Sequence, residues 1–208
     1  MNMQEPIPQE LIVSLNGETK DFAVKAARAV PASSAWAGIV IGLFWIGFIS
    51  IFWFVFFGPV MQGKEVRFKV NGTPTVAGPG NMKPLVVPGI MIGLFTLIGV
   101  AIVGGSVVAL IEPGPWFAGT ASRLIILKKK SVRSVDWESF TGTTHLTGDA
   151  QSANITFEMR TGRMVSRKNG PPRYVPDKIQ MAGIRDGIKI EEVCRRRIKE
   201  NDPTPPNV

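Results

Sequence analysis

Polar and apolar positions divide this chain into blocks with different periods. No Asp, Glu, Lys or Arg lies between Arg28 and Lys64, a run of 35 residues, and none between Lys83 and Glu112, a run of 28. About 20 such residues cross the ~30 Å hydrocarbon core of a bilayer. The first run predicts a transmembrane helix over 34–58, centred on Trp36 to Phe57. Its 22 central residues would span ~33 Å at ~1.5 Å per residue. Trp36 and Trp53 fall near its ends, where amphipathic rings favour the interface, and Pro59 is expected to close it. The second run predicts a helix over 85–111. Pro84 and Pro88 suit its first turns, and Glu112-Pro113-Gly114-Pro115 stops it. A cleavable signal peptide is the alternative for the first run. Its apolar stretch exceeds the usual h-region of ~7–15 residues, and the preceding segment is acidic as well as basic.

The loop over 59–84 contains Val66, Phe68 and Val70 alternating with Arg67 and Lys69. Asn71-Gly72 follows as a tight-turn pair. This predicts a short external β-hairpin, either a contact site for an outside partner or a solvated cap. In the amino-terminal segment, 1–33, Leu11, Val13 and Leu15 share a strand face. Asn16-Gly17 then separates them from Phe22 and Val24, which suggests a second hairpin. Asp21 to Val30 reads equally as a short amphipathic helix at the membrane.

The substantial soluble unit covers 115–202. Leu124 to Leu127 is a strand, and Ser131 to Trp137 alternates. In Asn154 to Met159, Ile155, Phe157 and Met159 point inward. Thr161-Gly162 reads as a turn, and Ile179, Met181 and Ile184 mark another strand. The period then changes: Ile190, Val193, Cys194 and Ile198 fall at helical spacing, with Glu191, Arg195, Arg196 and Lys199 mostly off that stripe. Asp186 is the candidate N-cap. Residues 203–208 read as a proline-rich disordered tail.

Thr120-Ala-Ser-Arg-Leu-Ile-Ile126 follows an aromatic strand, Ser139-Phe140 marks a polar transition, and Ala182-Gly-Ile-Arg-Asp186 leads into the last helix. In these motifs the stretch from Phe117 to Lys199 resembles the bacterial pleckstrin-homology-like (PH-like) domain, which often follows a two-helix hairpin. The resemblance implies a seven-stranded bent sheet or barrel with a capping helix, often assembled into rings. The polar segment Thr141 to Ser152 and the basic, proline-rich insertion Arg167 to Asp177 depart from it. The expected fold is therefore a two-span α-helical membrane hairpin followed by a mainly-β PH-like barrel or bent sheet with a C-terminal capping helix.

Composition removes most chemistry. One His and one Cys exclude a zinc cage and a disulfide framework. His145 reads as a surface-loop residue, and Asp136 and Glu138 carry no acid–base signature. Cys194 reads as a buried, inert thiol. No P-loop and no GxGxxG after a strand occurs. Neither apolar run has an ionisable group for a proton or ion path. The expectation is no enzyme, no cofactor and no metal.

The formal net charge is +8, and residues 112–208 hold seventeen basic against eleven acidic side chains. Lys128, Lys129, Lys130 and Arg133 form one candidate basic interaction surface with Arg195 and Arg196; Arg160 to Lys168 is a further cluster. Near an anionic leaflet each such cation contributes about 1 kcal/mol. The plainer alternative is a positive flank and a solvated helix face. No aromatic residues interleave these clusters, so nucleic acid is not an expected partner. Gly38 and Gly42, with Gly89 and Gly93, carry the four-residue small spacing of packed membrane helices, or arise by chance.

Lys and Arg near the span ends number seven on the terminal sides and four in the loop. This bias places both termini in the cytoplasm. The resulting expectation is a multi-pass protein of the bacterial inner (cytoplasmic) membrane. It would act as a scaffold through membrane lipid, as a homo-oligomer or with membrane-complex partners. The alternative is an accessory subunit of a transport or secretion complex whose catalytic parts lie on other chains.

Overall fold

A computed structural model describes residues 6–70, 72–149, 151–168 and 170–203. Residues 33–109 form one compact unit; residues up to 32, together with those from 110 onward, form the other.

The first unit holds two long helices, α2 (Ala32–Met61) and α3 (Val86–Ile111), with one 3-10 turn, Lys83–Leu85, leading into α3. Both helices are long and apolar enough to cross a membrane, and little of their surface is buried. At ~1.5 Å per residue they reach about 45 and 39 Å. Phe44, Phe54 and Leu97 are 75%, 76% and 66% exposed. An apolar surface this continuous needs an apolar solvent or partner. α2 runs two residues beyond Pro59, which was expected to end it. Pro59 lies in the final turn, where only one backbone bond is lost.

Between the helices, β2 (Val66–Val70) and β3 (Thr73–Ala77) form the expected hairpin. Asn71, half of the predicted turn pair, lies outside the described residues. Gly72 takes φ +82°, a left-handed value that costs glycine little. Val66 and Phe68 pack on a small cluster of Val60, Ala77 and Leu85.

The second unit joins the two ends of the chain. β1 (Lys20–Lys25) is the edge of an antiparallel sheet whose other strands are β4 (Trp116–Thr120), β5 (Arg123–Lys128) and β6 (Ser131–Asp136), in the order β1-β4-β5-β6. Lys20 pairs with Thr120 and Lys25 with Trp116. Residues 20–25 are thus neither a local hairpin arm nor a membrane-surface helix.

The predicted amino-terminal strand is instead a short helix, α1 (Gln9–Ser14). Leu11 and Leu15 fit period 2 and period 3.6 alike. The deciding residue is Val13, which stays 70% exposed while Leu11 is fully buried. Leu11 and Leu15 cover Ala118, Ile125 and Leu127 on one sheet face. Phe117, Leu124 and Val135 enter the main core on the other. Burial on both faces explains the unbroken apolar run Leu124 to Leu127.

A second sheet contains β7 (Phe140–Gly148), β8 (Ala153–Arg167) and β9 (Gly170–Ile184), in the order β7-β8-β9. The polar segment 141–152 is mostly strand β7 and its turn, so His145 sits on a strand and not in a loop. Thr161-Gly162, expected as a turn, lies inside β8, where the register with β9 shifts.

α4 (Gly187–Glu200) closes the unit by packing on β7 and β8. Asp186 occupies the N-cap position with φ 54° and makes no side-chain cap bond. Ile155, Phe157, Met181, Ile190, Cys194 and Ile198 meet in the core. Trp137 is fully buried there, and its Nε1–H donates to the Thr120 carbonyl at 2.9 Å. The sheets form no single closed barrel: the link between them near β1 is an isolated bridge, Arg28 to Ala182. Residues 204–208, most of the expected tail, lie outside the described residues.

Candidate interaction surface

The glycines predicted for helix packing divide. A Cβ at Gly38 would collide with the Ser106 hydroxyl, and one at Gly42 would lie 2.6 Å from Val103 Cγ2. A Cβ at Gly89 would touch the Phe57 ring at 3.1 Å, whereas Gly93 has nothing within 4 Å. Gly99 is a contact that spacing did not reveal: a Cβ there would lie 2.7 Å from Ile46 Cγ1. Trp45 Nε1 donates across the pair to the Phe95 carbonyl at 2.9 Å, and Trp53 Nε1 to Thr96 Oγ1 at 3.1 Å. Such bonds join helices in an apolar medium, where water offers no alternative partner.

The basic residues also divide. Lys128, Lys129 and Lys130 turn from β5 into β6, with Arg133 farther along β6, opposite Ile126. Lys129 takes φ 57° and reaches Glu112 at 3.3 Å. The side chains of Lys128, Lys130 and Arg133 have no ionic or hydrogen-bond partner among the described residues. Arg195 and Arg196 lie apart from this turn, on α4. Arg195 is bound to Glu191 and to Thr144 Oγ1. Arg196 is exposed, 3.9 Å from Glu200.

Two carboxylates do what the periodicity did not foresee. Glu191 is only 8% exposed; it accepts from Thr144 Oγ1 at 2.6 Å and pairs with Arg195. A buried carboxylate needs such partners, and its helical position gives no hint of them. Asp21 on β1 accepts two 2.8 Å bonds from Arg197. Those bonds hold the Asp21 carboxyl below its usual pKa and raise that of Arg197. Glu18 is likewise held low by hydrogen bonding from Thr120, with Arg123 and Ser122 adding to it. Burial pushes the Cys194 thiol well up, which suits an inert packing residue.

Val193 is half-buried, whereas Cys194 points fully inward. Val193 instead borders a groove of about 920 Å³ between β1 and the start of α4, with Phe22, Val24, Arg185, Lys189 and Ile190. His145 is exposed, with Nε2 4.0 Å from Glu158 Oε1, a carboxylate already paired with Lys178 at 2.9 Å. Among the described residues no group of three His, Cys, Asp or Glu side chains could hold a metal ion.

The most prominent surface feature is a two-stranded ribbon, the outer halves of β8 and β9. Ala153, Ile155, Phe157 and Met159 are buried, but every described residue from Arg160 to Tyr174 is exposed. Arg160 bonds Asp202 at 2.7 Å and the Glu138 carbonyl at 2.9 Å, which fixes the ribbon's base. Comparisons with protein-family models, with curated proteins and with solved structures find no match to this chain.

Proposed function

We propose that this chain is an integral-membrane scaffold whose two-span hairpin carries a cytoplasmic PH-like domain, in the inner membrane of a bacterium. The domain self-associates and docks proteins or a lipid surface.

One observation carries the reading: β1 and β4 are neighbours in one sheet although α2 and α3 lie between them in the chain. Two strands of one sheet occupy one side of a membrane, so an even number of crossings must separate them. Two helices of membrane-crossing length supply that number. The seven-to-four excess of Lys and Arg favours the cytoplasm as that side. The stretch that resembles the PH-like domain holds six strands and the terminal helix, and β1 adds a seventh strand from outside that stretch.

Docking, as opposed to chemistry, is supported by where the ionisable groups go. Glu191, Asp21 and Glu18 are engaged in holding the fold, while Lys128, Lys130 and Arg133 are presented outward.

The test is purification of the full chain in mild detergent, with mass determined on the intact particle. A homo-oligomer alone supports the scaffold. Stoichiometric unrelated subunits replace it with the accessory-subunit reading, and a monomer overturns self-association. Reporter fusions at residue 208 and within residues 78–82 check the topology: a periplasm-only reporter active at 208 overturns it.

A further inference from the structure

We propose that the β8–β9 ribbon, residues 160–168 and 170–178, is an arm that docks on an anionic lipid surface. The inference rests on the membrane reading above and names the lipid-contacting element.

Cations at the ribbon's base and tip have different surroundings. At the base Arg160 is held by Asp202 and Glu138, Thr161 Oγ1 donates to Asp177 at 3.0 Å, and Lys178 pairs with Glu158. Tyr174 OH donates to the Arg160 carbonyl at 2.6 Å and fastens one strand to the other. Farther out, the side chains of Arg163, Arg167, Lys168 and Arg173 have no ionic or hydrogen-bond partner among the described residues. The arm is stiff at its root and carries unneutralised charge beyond it.

The register sorts its two faces. Arg163 lies opposite Val175 and Val165 opposite Arg173, so cations and short aliphatic side chains share one face. Met164 lies opposite Tyr174 on the other face. Met164, Val165 and Tyr174 are 63%, 39% and 47% exposed. On the cationic face Val165 and Val175 lie between the Arg163 and Arg173 stems, which suits a headgroup layer where the stems reach phosphates and the short apolar tips face the acyl boundary.

Other occupants fit less well. Along the β9 edge, Pro171, Pro172 and Pro176 remove backbone donors, which disfavours strand addition there by another chain. A single aromatic residue, Tyr174, gives no stacking track for a nucleic acid strand.

The test uses the full chain in nanodiscs. An environment-sensitive fluorophore is placed at Val165→Cys, on the cationic face opposite Arg173, since the only native thiol, Cys194, is buried. One arm compares discs of phosphatidylcholine with discs containing 30 mol% phosphatidylglycerol. The other adds vesicles of the same two compositions to phosphatidylcholine discs and scores co-flotation. The arms distinguish the bilayer that carries the helices from a facing one.

The expected result is a blue-shifted label, or flotation, with phosphatidylglycerol only, lost in 0.5 M salt. About 1 kcal/mol per cation at such a surface predicts a loss of about a hundredfold in Arg163→Gln/Arg167→Gln/Arg173→Gln. The corresponding Arg→Lys triple variant keeps the contact, because a lipid surface reads charge and not guanidinium geometry. No response in either arm overturns the proposal. So does an Arg→Lys variant that fails as the Gln variant does, which would point to a protein partner. Alkaline extraction of native membranes separates this failure from that of the underlying reading. A chain released by alkali was never integral, whereas a retained chain with a silent ribbon refutes the arm alone.

Discussion

Asp21 and Arg197 stand 176 positions apart and tie the first strand to the last helix. Replacing Asp21 with Asn keeps the shape and removes the charge. The side chains are 19% and 23% exposed, and the pair makes two 2.8 Å bonds. Exposed ion pairs contribute about 0.2–1 kcal/mol, and hydrogen bonds to charged groups about 1.5–3 kcal/mol. The geometry places this pair between those classes, so the loss should be about 2 kcal/mol. Cys194 provides the readout, because it is fully buried between α4 and the sheets. A maleimide reaches it only when that core opens. At about 1.4 kcal/mol per decade, Asp21→Asn should speed its modification in the detergent-solubilised full chain about thirtyfold. Arg196→Gln, at an exposed position 3.9 Å from Glu200, should change it less than twofold. Because Arg197 lowers the Asp21 pKa, the stabilisation is complete at neutral pH and fades as pH falls through that lowered value. The urea midpoints of the unaltered chain and Asp21→Asn should therefore begin to approach each other only below the ordinary carboxylate range, about pH 4, and meet once the pH is under the lowered Asp21 value. If Asp21→Asn is modified within threefold of the unaltered chain at pH 7, the pair does not hold the two ends of the chain together.

Two further substitutions probe each unit by itself. Gly42→Leu should force α2 and α3 apart and cost about 1–3 kcal/mol, read as a lower thermal midpoint in detergent, whereas Gly93→Leu should be near neutral. Trp137→Phe removes the donor to the buried Thr120 carbonyl and leaves a small void, so its urea midpoint should fall by the equivalent of about 2–4 kcal/mol.

Local pattern made some elements legible. Two uncharged runs, the alternation Ile155, Phe157, Met159 and the helical spacing of Ile190, Cys194 and Ile198 each belong to one element, and each reads directly. β1 does not, because its partner begins at Trp116 and no feature of Lys20–Lys25 points ninety residues downstream. Thr161-Gly162 has turn composition, yet cross-strand bonds on either side carry the ribbon through it. In the candidate surface, the cation-rich segments were visible from composition. Which cations are already engaged was not. Arg195 and Arg197 look alike in sequence to Arg163 and Arg173, and only their neighbours separate anchors from free charges. Glu191 and Asp21 were missed for the same reason.

On the proposed membrane reading, the split of one sheet around the helical hairpin would also order the protein's biogenesis. β1 leaves the ribosome first and has no partner until β4 follows, about 5–20 s later at ~5–20 residues per second. During that interval both apolar helices are made. A chain that inserted one helix and stalled on the other would strand β1 and β4 across the bilayer from each other, and the four-stranded sheet could not assemble. The backbone edges of β1 and β4 would then stay unpaired. On the proposed membrane reading, the four-stranded sheet would form only on chains whose hairpin has crossed and returned, so its folding would report on complete insertion.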